Sequence, residues 1–83
     1  MNQDEIMNNV KDAMIDVFEV DDINLTRATL ADDIDGWDSL SHIRLMITLE
    51  RALKIKFRNE EIANLKDVGE LVDVIQAKLA AGS

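Results

Sequence analysis

Ile6, Val10, Ala13, Met14, Val17 and Phe18 recur at the spacing that brings side chains onto one face of an α-helix. Val68, Leu71, Val72, Ile75 and Leu79 repeat the pattern near the other end of the chain. No proline interrupts either segment, and glycine occurs only at positions 36, 69 and 82. Apolar residues make up 47% of the chain but aromatics only 4%, which favours a helical bundle packed with aliphatic side chains over a β-sandwich. The expected fold is therefore all-α. At 83 residues it should be a single domain with a modest core.

The element boundaries follow from local chemistry. The first helix is expected over 4–18, with Asp4 and Glu5 favourable at its positive end. Residues 19–37 carry spaced apolar residues (Ile23, Leu25, Leu30, Ile34 and Trp37) but no helical period. They read as a long loop plugged onto the bundle, with a short helical turn between Thr29 and Ile34. Such long connections are often functional. A second helix should run from Ser39 to about Leu53 with Asp38 as its N-cap. Residues 54–58 read as a loop with Ile55 and Phe57 pointing inward, and 59–63 as a helix of one or two turns. Asp67 and Glu70 form a capping-box-like start for the last helix, over 67–79, with residues 80–83 as a flexible tail.

The second helix carries two apolar stripes. With Leu40 at zero, Ile43 falls at roughly 300° and Ile47 at roughly 340°. Leu45, Met46, Leu49 and Leu53 fall between roughly 140° and 240°. One stripe suffices to bury a helix in a small bundle. Either the helix is buried on both sides, or Leu40, Ile43 and Ile47 stay exposed as a partner site. Ser39 stands at the start of the same helix, where side chains are ordinarily open to solvent.

Charge narrows the partners. The net charge is −8. Residues 1–38 hold eleven acids against Lys11 and Arg27, while residues 39–83 hold six acids against seven Lys or Arg. Nucleic acid and anionic membranes are disfavoured, and a basic partner surface complements the acidic half. There is no cysteine, so disulfides and thiolate metal sites are excluded. The acidic N-terminus has no apolar signal core, and no apolar run approaches the ~18 residues of a membrane span. A soluble, cytoplasmic protein is expected.

Two chemical readings fail on their residues. Aligning Gly36 with the invariant glycine of an EF-hand loop puts Ala31 at the first ligand and His42 at the terminal glutamate, so no specific Ca²⁺ site is expected. Ser39 and His42 lie one turn apart, but no nucleophile elbow surrounds the serine. His42, near 200°, reads as a half-buried packing residue.

The string Gly36-Trp37-Asp38-Ser39-Leu40, with the pattern running on to Leu49-Glu50, closely resembles the acyl carrier protein family. The helix order and the acidity fit as well, over nearly the whole chain. The resemblance implies a four-helix bundle of three main helices and one short helix, spanning 1–83 with a core of about 4–79. It implies that Ser39 carries 4′-phosphopantetheine, installed from coenzyme A by a phosphopantetheinyl transferase. By the same resemblance Asp38 helps present Ser39, and Leu40, Ile43 and Ile47 form a docking strip. The arm would hold acyl groups as thioesters and shuttle them between acyl-loading and acyl-transferring enzymes. The chain would be a monomeric carrier and not an enzyme. Carriers of fatty acid synthesis usually show acids along the second helix, where this chain has Ser41, Arg44 and Arg51. They usually have a small residue where Trp37 stands. Both departures resemble carriers dedicated to polyketide, peptide, D-alanyl or cell-envelope pathways, with Arg44 in partner recognition. The rival reading is a small helical interaction domain with no prosthetic group.

Overall fold

A computed structural model of the chain describes residues 2–34 and 36–81. Four α-helices follow one another: α1 (Gln3–Phe18), α2 (Ser39–Leu53), α3 (Asn59–Ala63) and α4 (Val68–Ala80). A 3-10 turn, Ala31–Asp33, sits in the long connection between α1 and α2, within the stretch where a helical turn is expected. Among the described residues there is no strand, only an isolated antiparallel bridge between Leu30 and Asp67.

Each main helix starts on a side-chain cap. Asn2 accepts from the Glu5 N–H at 2.9 Å, and the Glu5 carboxylate accepts from the Asn2 N–H at 3.2 Å. This reciprocal box starts α1 one residue before the expected position. Asp67 accepts from the Glu70 N–H at 2.8 Å. The Glu70 carboxylate does not close the box on Asp67. It turns to the Lys66 N–H at 3.1 Å, so only half of the expected reciprocal pair forms. At the other end, Ala80 is the last helical residue of α4, while Gly82 and Ser83 of the expected tail lie outside the described residues.

The core is built from the expected stripes. Ile6, Val10, Ala13 and Met14 of α1 pack with Leu45, Met46, Leu49 and Leu53 of α2, and with Val68, Leu71, Val72 and Ile75 of α4. Ile55 is buried from the loop before α3, and Phe57 packs half-buried against the core. The α1 helix lies against both α2 and α4. Burial of such aliphatic side chains contributes about 1.5–3 kcal/mol each, before conformational entropy is subtracted.

The long connection is tied down by backbone bonds to the start of α4. The Val68 N–H donates to Thr29 O and the Gly69 N–H to Arg27 O, both at 2.9 Å. Two first-turn N–H groups of α4, which no helical carbonyl can serve, are satisfied in this way. The approach is close: a Cβ on Gly69 would lie 2.9 Å from Arg27 O. Arg27 then forks onto Asp73 of α4, with N···O distances of 3.1 and 2.8 Å. These ties hold the middle of the connection against α4.

Candidate functional site

The chain enters α2 through a sharp bend. Gly36 has φ +86°, a conformation that L side chains rarely adopt. The Asp38 N–H donates back to Gly36 O at 3.0 Å. Asp38 then caps the helix: its carboxylate accepts from the Ser41 N–H at 2.9 Å. The Ser41 N–H, then the Ser41 hydroxyl, hold the Asp38 carboxyl below its ordinary pKa. The cap is therefore anionic at neutral pH, at the positive end of the helix.

Ser39 is the first residue of α2 and is exposed. Among the described residues its hydroxyl has no hydrogen-bond partner. Trp37, Asp38, His42, Ile62, Ala63 and Leu65 surround it in a shallow groove of about 430 Å³. One wall comes from the start of α2, the other from α3 and the loop that follows.

Trp37 and His42 lock this groove. The indole N–H of Trp37 donates to His42 Nδ1 at 3.0 Å. An indole nitrogen only donates, so Nδ1 must accept and the proton sits on Nε2. That N–H points at the Ile62 carbonyl, 3.0 Å away. His42 therefore bridges the long connection to α3. Both imidazole nitrogens are committed, so His42 is not placed to take a proton from Ser39. On its other side Trp37 meets Phe18, with ring centroids 6.0 Å apart. Trp37 thus links the end of α1 to the start of α2.

The two stripes of α2 separate as the second sequence alternative requires. Leu45, Met46, Leu49 and Leu53 are buried, whereas Leu40, Ile43 and Ile47 are 64%, 51% and 44% exposed. Arg44 is exposed beside them. Asp38, Ser39, Leu40, Ile43, Arg44 and Ile47 thus share the outward side of one helix, from its cap to about its midpoint. The lining from Ile62, Ala63 and Leu65 was not singled out in the sequence. Its signal there is faint: apolar residues in and after a helix too short to show a period.

Such a surface can hold a group out in solvent on a fixed mount. A phosphate on Ser39 would sit at a helix N-terminus, which favours anions. Among the described residues nothing lining the groove around Ser39 resembles a base poised on its hydroxyl or an oxyanion hole. Among the described residues no cluster of His, Asp and Glu has the arrangement of a metal site.

No protein-family model matches the chain. Curated relatives do. It is 35% identical to an acyl carrier protein of Thermosynechococcus vestitus, across 98% of this chain and the full length of that one. It is 32% identical to an acyl carrier protein of Lactobacillus acidophilus, across 93% of this chain and 96% of the relative. The chain belongs to the acyl carrier protein family. Its fold agrees: the solution NMR structure of holo acyl carrier protein from Geobacter metallireducens superposes with a TM-score of 0.85 at 45% identity. That match covers 93% of this chain and 88% of the neighbour. Like other acyl carrier proteins, the chain is a carrier and not a catalyst. Family membership favours a carrier over the rival reading of a small helical interaction domain with no prosthetic group.

Proposed function

We propose that Ser39 carries a 4′-phosphopantetheine arm, joined through a phosphodiester to its hydroxyl. The observation that carries this reading is the exposed Ser39 at the capped start of α2, beside an exposed apolar strip. The holo form of the Geobacter metallireducens neighbour supports a prosthetic group in a fold of this kind. The arm supplies a terminal thiol on which acyl groups ride as thioesters. The chain's own residues mount and present it. Asp38 fixes the first turn, Trp37 and His42 hold the groove, and Leu40, Ile43, Arg44 and Ile47 meet the enzymes that load and unload the arm. On this reading residues 1–83 act as one monomeric domain in the cytoplasm, with a phosphopantetheinyl transferase and acyl-transferring enzymes as partners.

The reading extends to a dedicated secondary-metabolite, peptide or cell-envelope pathway in place of housekeeping fatty acid synthesis. Exposed Arg44 and Arg51 support this, since fatty-acid carriers usually place acids there; so does Trp37 at a position usually small.

Intact mass tests the attachment. Incubation with coenzyme A and a broad-specificity transferase should add one phosphopantetheinyl group to the wild type and none to Ser39→Ala. No gain with several transferases, or a gain that survives Ser39→Ala, would overturn it. Mass analysis of the natively purified carrier tests the pathway. Ordinary straight-chain fatty acyl groups as its main cargo would remove the dedicated-pathway reading.

A further inference from the structure

The cations of this acidic chain divide into two groups. Lys11, Arg27, Arg58 and Lys78 each pair with a carboxylate. Arg44, Arg51, Lys54, Lys56 and Lys66 are exposed and pair with none among the described residues. Lys66 lies just before α4; the other four belong to α2 or to the loop leaving it. On the helix, Arg44 and Arg51 lie at roughly 40° and 20° from Leu40, along the edge of the exposed strip. Arg51, Lys54 and Lys56 line a shallow hollow of about 430 Å³ with Ile47 and Ile55 at the far end of that strip.

The carboxylates nearby are already engaged. Asp38, at the Ser39 end, caps the helix. Glu50, in the hollow, accepts from the Phe57 N–H at 2.8 Å. The outward face of α2 therefore has an apolar centre with uncommitted cations along one edge and at its far end. This local sign is opposite to the net charge of −8.

We propose that α2 docks on a partner enzyme whose surface bears an apolar recess bordered by Asp or Glu carboxylates. The inference rests on the carrier reading of Ser39 and names the chemistry of the partner beside it. Leu40, Ile43 and Ile47 enter the recess, and Arg44 and Arg51 meet the carboxylates. At 1.5 Å per residue Arg44 lies about 7.5 Å, and Arg51 about 18 Å, along the helix from Ser39. The partner's acids should flank its active-site mouth over that span. An anionic lipid surface also attracts cations, but an extended sheet of negative charge meets the acidic first half of the chain as well. A recess acts locally, within the ~8 Å over which salt leaves a field intact.

The test uses the mass-verified, ¹⁵N-labelled holo protein and an acyl-transferring enzyme that accepts it as substrate. Titration should shift the amides of Leu40, Ile43, Arg44, Ile47 and Arg51, and added NaCl should weaken binding. The holo double variant Arg44→Glu/Arg51→Glu, checked for helicity and mass, should bind at least about tenfold more weakly, as loss and reversal of two charge pairs requires. Binding equal to or tighter than wild type would overturn the proposal, as would shifts confined to α1 and the long connection. Co-sedimentation of the holo protein with phosphatidylglycerol vesicles at physiological salt would overturn it in favour of lipid. A wild type that gains no arm in the mass assay fails the Ser39 reading instead, so the two failures are distinct.

Discussion

The indole N–H of Trp37 donates to Nδ1 of His42 across 3.0 Å, and the two rings stack with centroids 5.9 Å apart. His42 passes the tie on to the Ile62 carbonyl. The end of the long connection, the start of α2 and the distant α3 meet through one imidazole, directly beside Ser39. His42→Ala leaves a donor and an acceptor without partners. Because the site is half-buried, water can replace part of what is lost, and the expected cost is about 1–2 kcal/mol. Urea unfolding followed by fluorescence of the sole tryptophan measures it. A midpoint and emission maximum identical to wild type would show that the tie does not hold the groove.

Gly69→Ala sets two effects against each other. Alanine is the better helix former by about 1 kcal/mol. Its Cβ, however, would sit 2.9 Å from Arg27 O, a backbone atom that already accepts from the Gly69 N–H. Relief requires moving the long connection, and overpacking of this kind costs about 1–3 kcal/mol. The clash should win, lowering the thermal midpoint. A raised midpoint would mean that the connection yields easily and that its tie to α4 is weak.

The two faces of α2 should separate stability from transfer. Leu49 is fully buried, and Leu49→Ala should cost about 2–5 kcal/mol. Leu40 is 64% exposed, and Leu40→Ala should change stability by no more than about 0.5 kcal/mol. The same Leu40→Ala carrier should raise KM with its acyl-transferring enzyme. Equal destabilisation by the two variants would contradict the division of the helix into core and docking faces.

What the sequence made legible here was local. The period of α2, its Asp38 cap and the angular separation of its two apolar stripes all follow from neighbours within a turn or two, but which stripe is buried depends on the other helices. The Asn2–Glu5 box has the same local signature, at the usual three-residue spacing. Contacts made across the chain were not legible. Nothing local in Thr29 or Arg27 announces that their carbonyls receive the first N–H groups of α4. Nor does His42 reveal that it spans from Trp37 to Ile62, since periodicity places a side chain on a face without naming its partner. Glu70 shows the limit of a motif. Its spacing from Asp67 fitted a box, yet its carboxylate found the Lys66 N–H. The exposed position of Ser39 at the start of α2 was legible from the Asp38 cap, while the far wall of its groove came from α3, whose length gives no pattern.

Acid should loosen the bundle through identifiable pairs. Lys78 donates to Glu61 at 2.7 Å and holds the Glu61 carboxyl below its ordinary pKa. Arg27 does the same to Asp73 through the two-pronged contact. A carboxyl with a depressed folded pKa contributes stability that is fully present above its unfolded value, near 4, and is lost as pH falls through the folded value. Protonating the remaining acids has a competing effect, because it relieves the self-repulsion of a chain at −8. Wild type alone therefore cannot separate the two, but variants can. Glu61→Gln removes the pairing carboxylate without much change in shape. Its stability at neutral pH should fall, and its loss of stability between about pH 5 and pH 3 should be smaller than that of wild type. Asp73→Asn should behave alike but more weakly, since Arg27 and Asp73 are each about half exposed while Lys78 and Glu61 are 15% and 27% exposed. Thermal melts across that range measure both slopes. Parallel curves for wild type and Glu61→Gln would show that the Glu61–Lys78 pair plays no part in acid unfolding.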